Sequence, residues 1–490
     1  MFKQRLLNSY QTVTRTRRPR EGDSSPSVSV RPKSKELVNT ASHVNGTGFP
    51  TFYGTVNSVL RPGHKISFAM LFLFTIVLYL RPSELYPSAL TNSIALVLGI
   101  ITVAFFVPTQ ISLEGTLTAP LREVKLVLLF CLTALLSVPL AINPLTAWQD
   151  FSGTFIRCVV IFIVMVNVTR NETRLRALLF LALATGIWLS LGAINDFRLG
   201  LMTVEGYRAR GRGGGIFGNP NDMALYLVSM VPIAFAFLIT SRSSIRKLIF
   251  GACALLLIIA IGLSYSRGGF LGLIVALGFF ALKIAPRRRL EIVLCACVLL
   301  VILLAIFPSY AVRLASIVFP SLDPVGSSDL RRGELLRSLF LAIRHPVFGI
   351  GMGNYRTEMS YIGAETHNSY TQVASEMGVI ALACYTMFMV VPFKKLGQIA
   401  RQTFGVPAKS RFHYLAIGLQ AAILGYMVSS FFASDAYQWY VYYLVAYAIG
   451  LRRLYEAETE KPLVVTKQDQ LDSGQFGFQT LINKNAESIT

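Results

Sequence analysis

From about residue 66 to residue 451 the chain repeats one pattern, in which apolar runs of near twenty residues alternate with shorter polar breaks. A helix needs about twenty apolar residues to cross the hydrocarbon core of a bilayer. The runs therefore predict about twelve transmembrane helices, at roughly 66–80, 88–107, 124–142, 155–169, 175–194, 221–240, 247–264, 267–284, 290–307, 371–392, 412–433 and 437–451. Run length, together with the lack of ten-residue alternating segments, predicts helices rather than a β-barrel. The expected fold class is all-α: a polytopic membrane protein with a long outer loop, 308–370, between helices 9 and 10. That loop is longer than an unstructured connection usually is, which predicts a cap with helices of its own.

Two polar tails flank this region. Residues 1–65 hold eleven Lys/Arg against three acids and are rich in Ser, Thr and Pro, the composition of a disordered basic tail drawn to anionic lipid head groups. Arg17-Arg18 is not followed closely by the short apolar region of an export signal. Residues 456–490 form the second tail, leaving 66–455 as the membrane domain. Composition agrees with this division: 53% of the 490 residues are hydrophobic and only 14% charged. The net charge of +21 lies in tails and loops, so membrane lipids and not nucleic acid are the expected partners. All six cysteines fall in apolar spans without metal-ligand spacing.

With the basic N-terminus inside, twelve crossings place both termini in the cytoplasm and sort the loops by charge. The inner connections carry Arg170/Arg174, Arg242/Arg246/Lys247, Arg287–Arg289, Lys394/Lys395/Arg401/Lys409/Arg411 and Arg452/Arg453, as the positive-inside rule requires. Two outer connections break the rule, and a third outer turn carries a single Arg. Segment 195–220 holds Arg198, Arg208, Arg210 and Arg212; the turn 264–269 holds Arg267; and 308–370 holds Arg313, Arg331, Arg332, Arg337, Arg344 and Arg356, with no lysine in any of the three. A guanidinium fork grips phosphate or carboxylate oxygens in two places, which lysine does not. These arginines either form parts of an anion site or contact outer-leaflet head groups and loop carboxylates. Gly213–Asp222 leads into a helix that Asn219 or Asn221 can cap, and glycines there let backbone amides approach an anion. A phosphate or diphosphate at the outer boundary, with a lipid chain between helices, suits the arrangement.

Within the long loop, residues 330–344 place Leu335, Leu336, Leu339, Phe340 and Ile343 at helical spacing, the pattern of an amphipathic helix ending at His345-Pro346. His367 follows at the mouth of the tenth span, among Glu365, Thr366, Asn368, Ser369 and Tyr370. It is either a general base near neutral pH or an interfacial capping residue. The other four histidines are on the inner side or beside Pro346. The outer acids are scattered without DxD or HxxxH-type spacing, so no metal and no other cofactor is expected.

Four motifs together resemble the O-antigen ligase and O-antigen polymerase superfamily, over about residues 210–392. They are Arg212-x-x-Gly215-x-Phe217-Gly218-Asn219-Pro220-Asn221; Ser266-Arg267-Gly268-Gly269; His345-Pro346-x-x-Gly349-x-Gly351-x-Gly353-Asn354-Tyr355; and His367-Asn368 followed after nine residues by Gly378. The resemblance implies a metal-independent, inverting glycosyltransferase of the GT-C type, working on the periplasmic face of the bacterial inner membrane. Its donor would be a glycan on undecaprenyl diphosphate, and its acceptor a sugar hydroxyl on a saccharide or a lipid-linked saccharide. Carried over by position, Arg212 and Arg267 would hold the diphosphate, Arg332 or Arg331 would assist, and His367 would deprotonate or orient the acceptor. Arg208, Arg210, Asn219, Asn221, Asn354 and Asn368 complete the expected substrate-binding set. The sequence departs from the family pattern at Leu336, where many relatives have Trp, and at Ala381, where the ligase pattern has a second glycine.

Ligase, polymerase and protein O-oligosaccharyltransferase share this donor chemistry. A lipid-linked oligosaccharide flippase is the competing class; it predicts repeat symmetry and ionisable groups near the bilayer midplane. Here the polar density collects on one side instead.

Overall fold

The computed structural model describes residues 63–201, 208–209, 215–288 and 290–291, isolated positions between 294 and 321, and residues 327–360 and 363–459. Almost all of the basic N-terminal tail, the second tail beyond residue 459, most of the ninth predicted span, and Arg210 and Arg212 lie outside the described residues.

Among the described residues the fold is helical throughout, with no β-strand. The helices are α1 (Lys65–Leu80), α2 (Pro82–Leu85), α3 (Ala89–Glu114), α4 (Arg122–Ser137), α5 (Pro144–Asp150), α6 (Ile156–Val168), α7 (Glu172–Arg198), α8 (Pro220–Thr240), α9 (Ser244–Leu263), α10 (Arg267–Ile284), α11 (Ser327–Arg344), α12 (Ser369–Gln402), α13 (Ser410–Ser429) and α14 (Trp439–Thr459). Nine helical stretches among the described residues are long and apolar enough to cross a membrane. Two predicted spans correspond to α4 and α14, which are helical but fall short of that standard, α4 by its sixteen residues. The expected outer connection 143–154 is itself helical: α5 and a π-helical turn (Phe151–Phe155) run into α6 as one rod.

The starts of these helices are legible in chain chemistry. Ser88 and Thr91 form a reciprocal capping box on α3, and Asn171 accepts the Arg174 amide at 2.8 Å at the start of α7. Asn219, Ser266 and Asn368 cap α8, α10 and α12 in the same way. α8 lies at the centre, packed on α9, α10 and α13, while α12 packs on α4, α11, α13 and α14. α3 is peripheral and contacts mainly α1.

The two ends of the bundle differ. At one end Arg170 meets Glu114 at 2.6 Å and Arg452 chelates Glu123, while His64 bonds Gln110 at 2.9 Å. Arg170, Arg452 and Arg453 satisfy the charge rule for inner loops, yet all three are buried and act as internal struts. The other end, where α8, α10, α12 and α14 begin, carries the residues singled out by their motifs.

Candidate active site

The glycine motif and the histidine motif are one structural unit. α12 starts regularly and is then broken at Gly378, with φ 84° and ψ −179°. Such a backbone is open to glycine and costly for other residues. A Cβ at Gly378 would also lie 2.2 Å from the carbonyl oxygen of Val347. Segment 346–354 fills the break. Val379 N–H donates to Pro346 O at 2.8 Å, Ile350 N–H to Ser375 O at 2.9 Å and Gly351 N–H to Glu376 O at 2.9 Å. Gly349, Gly351 and Gly353 all have positive φ, which the tight path of this segment requires. The nine-residue spacing from Asn368 to Gly378 therefore sets the distance from the helix cap to the break.

The same unit seats the cap helix. Ser338 of α11 donates to Thr371 at 2.9 Å, and the Tyr355 hydroxyl donates to Glu334 O at 2.8 Å. Leu341, Ile350 and Tyr355 form a small core between them. Leu336, Phe340 and Ile343 stay exposed, so the apolar stripe expected of an amphipathic helix turns away from the protein, as a face laid on a membrane surface would. Leu336 belongs to that exposed face. Ala381 is fully buried in the main core.

α11 presents Arg331, half-buried, toward His367; its cation acts on the imidazole, whereas Arg332 is exposed. His367 itself has φ 51°, a left-handed conformation uncommon for a residue with a side chain. Thr366 and Asn368 fix it on either side. The Thr366 hydroxyl bonds Ser434 at 3.0 Å and Asn368 O at 3.0 Å, and Asn368 Oδ1 accepts the Tyr370 and Thr371 amides at 2.9 and 3.0 Å. Among the described residues the His367 ring makes no hydrogen bond. Burial, aided by Arg331, pushes its pKa down to about 4, so it is neutral at neutral pH.

Two further groups, which no sequence motif marks, line this corner. Asp435, in the turn between α13 and α14, is buried; its amide donates to Ser369 Oγ at 2.9 Å, and its Oδ2 has no hydrogen-bond partner among the described residues. Burial, then Asp222 and Glu365, push its carboxyl well above the usual range. Asn368 Nδ2 is likewise buried without a partner there. Glu376, inside the apolar run of α12, accepts the Tyr437 hydroxyl at 2.8 Å. The signal for both acids was a carboxylate within or between spans, where a charge is costly and needs a reason.

The arginines divide into separate roles. Arg267 is the first residue of α10 and is buried beside Ser266, whose hydroxyl accepts the Gly269 amide at 3.2 Å. Arg208 is buried and braced: its Nε donates to Ser264 O at 2.9 Å and Nη2 to Asn221 Oδ1 at 2.7 Å. It ties the start of α8 to the turn before α10, and so occupies the Asn221 side chain that was expected to meet substrate. Asn219 accepts the Asn221 amide at 2.9 Å as the cap of α8. Asn354 differs most from its expected substrate role. It is fully buried, accepts the Asn143 amide at 2.6 Å, and donates to Asn143 O at 3.2 Å and Met352 O at 3.1 Å. Its amide latches the glycine segment to the cap of α5.

Fold and site together define a polytopic, all-helical membrane protein with a histidine and buried arginines at one end of its bundle. Residues 252–386 match the family model described as O-Antigen ligase, which shows the resemblance to the O-antigen ligase superfamily over the stretch from α9 into α12. The match takes in Ser266–Gly269, the glycine segment, His367-Asn368 and Gly378, and stops short of Arg208–Asn221 on the N-terminal side. Comparison with curated proteins gives no match.

Proposed function

We propose that the protein transfers a glycan from an undecaprenyl-diphosphate-linked donor to a sugar hydroxyl, as an O-antigen ligase or surface-polysaccharide polymerase of the GT-C type, at the periplasmic face of the bacterial inner membrane. The observation that carries this reading is the seating of His367: neutral, half-buried, held at a positive φ and under the charge of Arg331. In the reaction the acceptor oxygen attacks the anomeric carbon as its proton passes to the imidazole. The bond from that carbon to the diphosphate oxygen breaks on the opposite face, so configuration inverts. Undecaprenyl diphosphate leaves with the bonding pair, and Arg267, with Arg212, compensates the charge that develops on it. Preorganised donors aimed at developing charge are usually the largest single contribution to catalysis. The neutral imidazole is a weak base before substrate binds, and the diphosphate brought beside it raises its proton affinity as charge develops.

The reading is tested with purified protein in lipid nanodiscs, a defined undecaprenyl-diphosphate oligosaccharide, and separate lipid-linked saccharide, free saccharide and peptide acceptors. Transfer to a saccharide with inverted anomeric configuration and stoichiometric release of undecaprenyl diphosphate supports it; transfer to peptide alone, or retained configuration, refutes it.

A further inference from the structure

A cavity of about 600 Å³ forms a groove between α1, α3 and α6, closed at one side by Trp439 of α14. None of the four motifs named above contributes to it. Its walls are apolar, with Leu78, Leu96, Val103 and Ile161 among them, and Leu96 and Ile100 are exposed, so the groove opens toward the surrounding lipid. Along α3 it runs from Asn92 to beyond Val103, about 17 Å at the helical rise and so more than half of a hydrocarbon core.

Two arginines line it. Arg157 sits on α6, exposed, and among the described residues makes no hydrogen bond or ion pair. It is level with the start of α14, because the neighbouring Cys158 thiol reaches Tyr437 O at 3.6 Å. A charged side chain in an apolar span without a protein partner is costly and marks a binding group by default. Arg81, just past α1, stands at the mouth with Ser83 and Asn92 and is paired with Glu84. The mouth adjoins the candidate site. Arg81 is near enough for its charge to act at the Tyr440 hydroxyl, which donates to Ile216 O just before α8. Tyr79 packs on Phe217 and Tyr226, 6.2 and 5.8 Å between ring centroids.

We infer that this groove binds the chain of a phosphate-headed lipid, with Arg157 and Arg81 gripping the head at its mouth and the chain lying against α3. The volume is that of a ligand pocket, and the charge complements an anion on a long apolar chain. Calling this lipid the donor of the transfer reaction rests on the proposed function; the binding itself does not. Ordinary anionic phospholipid shares the head-group chemistry, so the test separates the two sources.

The experiment is native mass spectrometry of the full-length protein from nanodiscs, with undecaprenyl diphosphate, undecaprenol and phosphatidylglycerol as competing probes. Expected is preferential retention of undecaprenyl diphosphate, reduced about tenfold or more by Arg157→Gln, as loss of a charged hydrogen-bonding partner implies. Ala95→Trp, which fills the groove, should abolish retention, and Leu132→Trp, on the exposed face of α4, should leave it intact. Equal retention of phosphatidylglycerol would keep the phosphate-headed lipid in the groove and remove the donor assignment; equal retention of undecaprenol, or wild-type retention in both Arg157→Gln and Ala95→Trp, overturns the inference. Preferential binding in a protein that transfers no glycan would keep the groove and remove the proposed function instead.

Discussion

Replacing Gly378 by alanine tests whether the two motifs form one unit. At φ 84° and ψ −179° alanine carries backbone strain of about 1–3 kcal/mol. Its Cβ would stand 2.2 Å from Val347 O and 2.7 Å from Pro346 O, both backbone atoms, so segment 346–351 must withdraw by about 1 Å to reach ordinary contact. That displacement breaks or stretches the bonds from Val379, Ile350 and Gly351, each contributing about 0.5–1.5 kcal/mol. Together the cost is about 2.5–7.5 kcal/mol, concentrated on the docking of the glycine segment rather than on the helical bundle. Hydrogen exchange should accordingly show the amides of Ile350, Gly351 and Val379 exchanging much faster in Gly378→Ala, with α8 and α13 unchanged. Transfer activity should fall sharply, because α11 and Arg331 are seated through the same segment. Wild-type protection at those three amides, with an unaltered melting temperature, would show that the break at Gly378 does not hold the glycine segment.

Further outcomes follow from individual contacts. Arg331→Gln removes a cation that helps hold the His367 pKa at about 4. The pKa should rise toward 6.5, and the acid limb of kcat/KM should move to higher pH; Arg332→Gln should leave the profile in place, and an unmoved limb in Arg331→Gln would contradict the pairing. Asn354→Ala leaves the half-buried Asn143 amide without its acceptor, a loss of about 1–3 kcal/mol that thermal melting should detect while donor KM stays near wild type. Arg208→Lys should behave similarly, since lysine cannot bond Ser264 O and Asn221 Oδ1 as the fork does; a large change in donor KM without loss of stability would return Arg208 to the substrate.

Helical class and the positions of most spans were legible because run length and caps are local properties: Ser88, Asn171 and Ser266 announce their helices directly. His367, Arg267 and Gly378 were legible as motif residues. What the sequence hid is pairing across the chain. Asn354 and Asn143 are 211 positions apart, and nothing local distinguishes a latch from a ligand contact. Arg170 and Arg452 obeyed the charge rule for loops while serving as buried struts, since Glu114 and Glu123 lie on other helices. Arg331 and Arg332 are adjacent, and only the rotation of α11 on Thr371 decides which faces the histidine. Asp435 was obscured by its setting in a short turn between α13 and α14, where a single acid belongs to no motif.

In the proposed reaction arginine and histidine side chains perform glycan transfer without a metal ion. The direct measurement is transfer from an undecaprenyl-diphosphate oligosaccharide by purified protein in excess chelator, comparing wild type with His367→Ala and Arg212→Ala. Full wild-type turnover is expected in chelator, with a fall of about 10²–10⁴-fold in His367→Ala, the usual contribution of a positioned general base, and strong impairment of Arg212→Ala. A requirement for a divalent ion, or transfer that survives both substitutions, would contradict it.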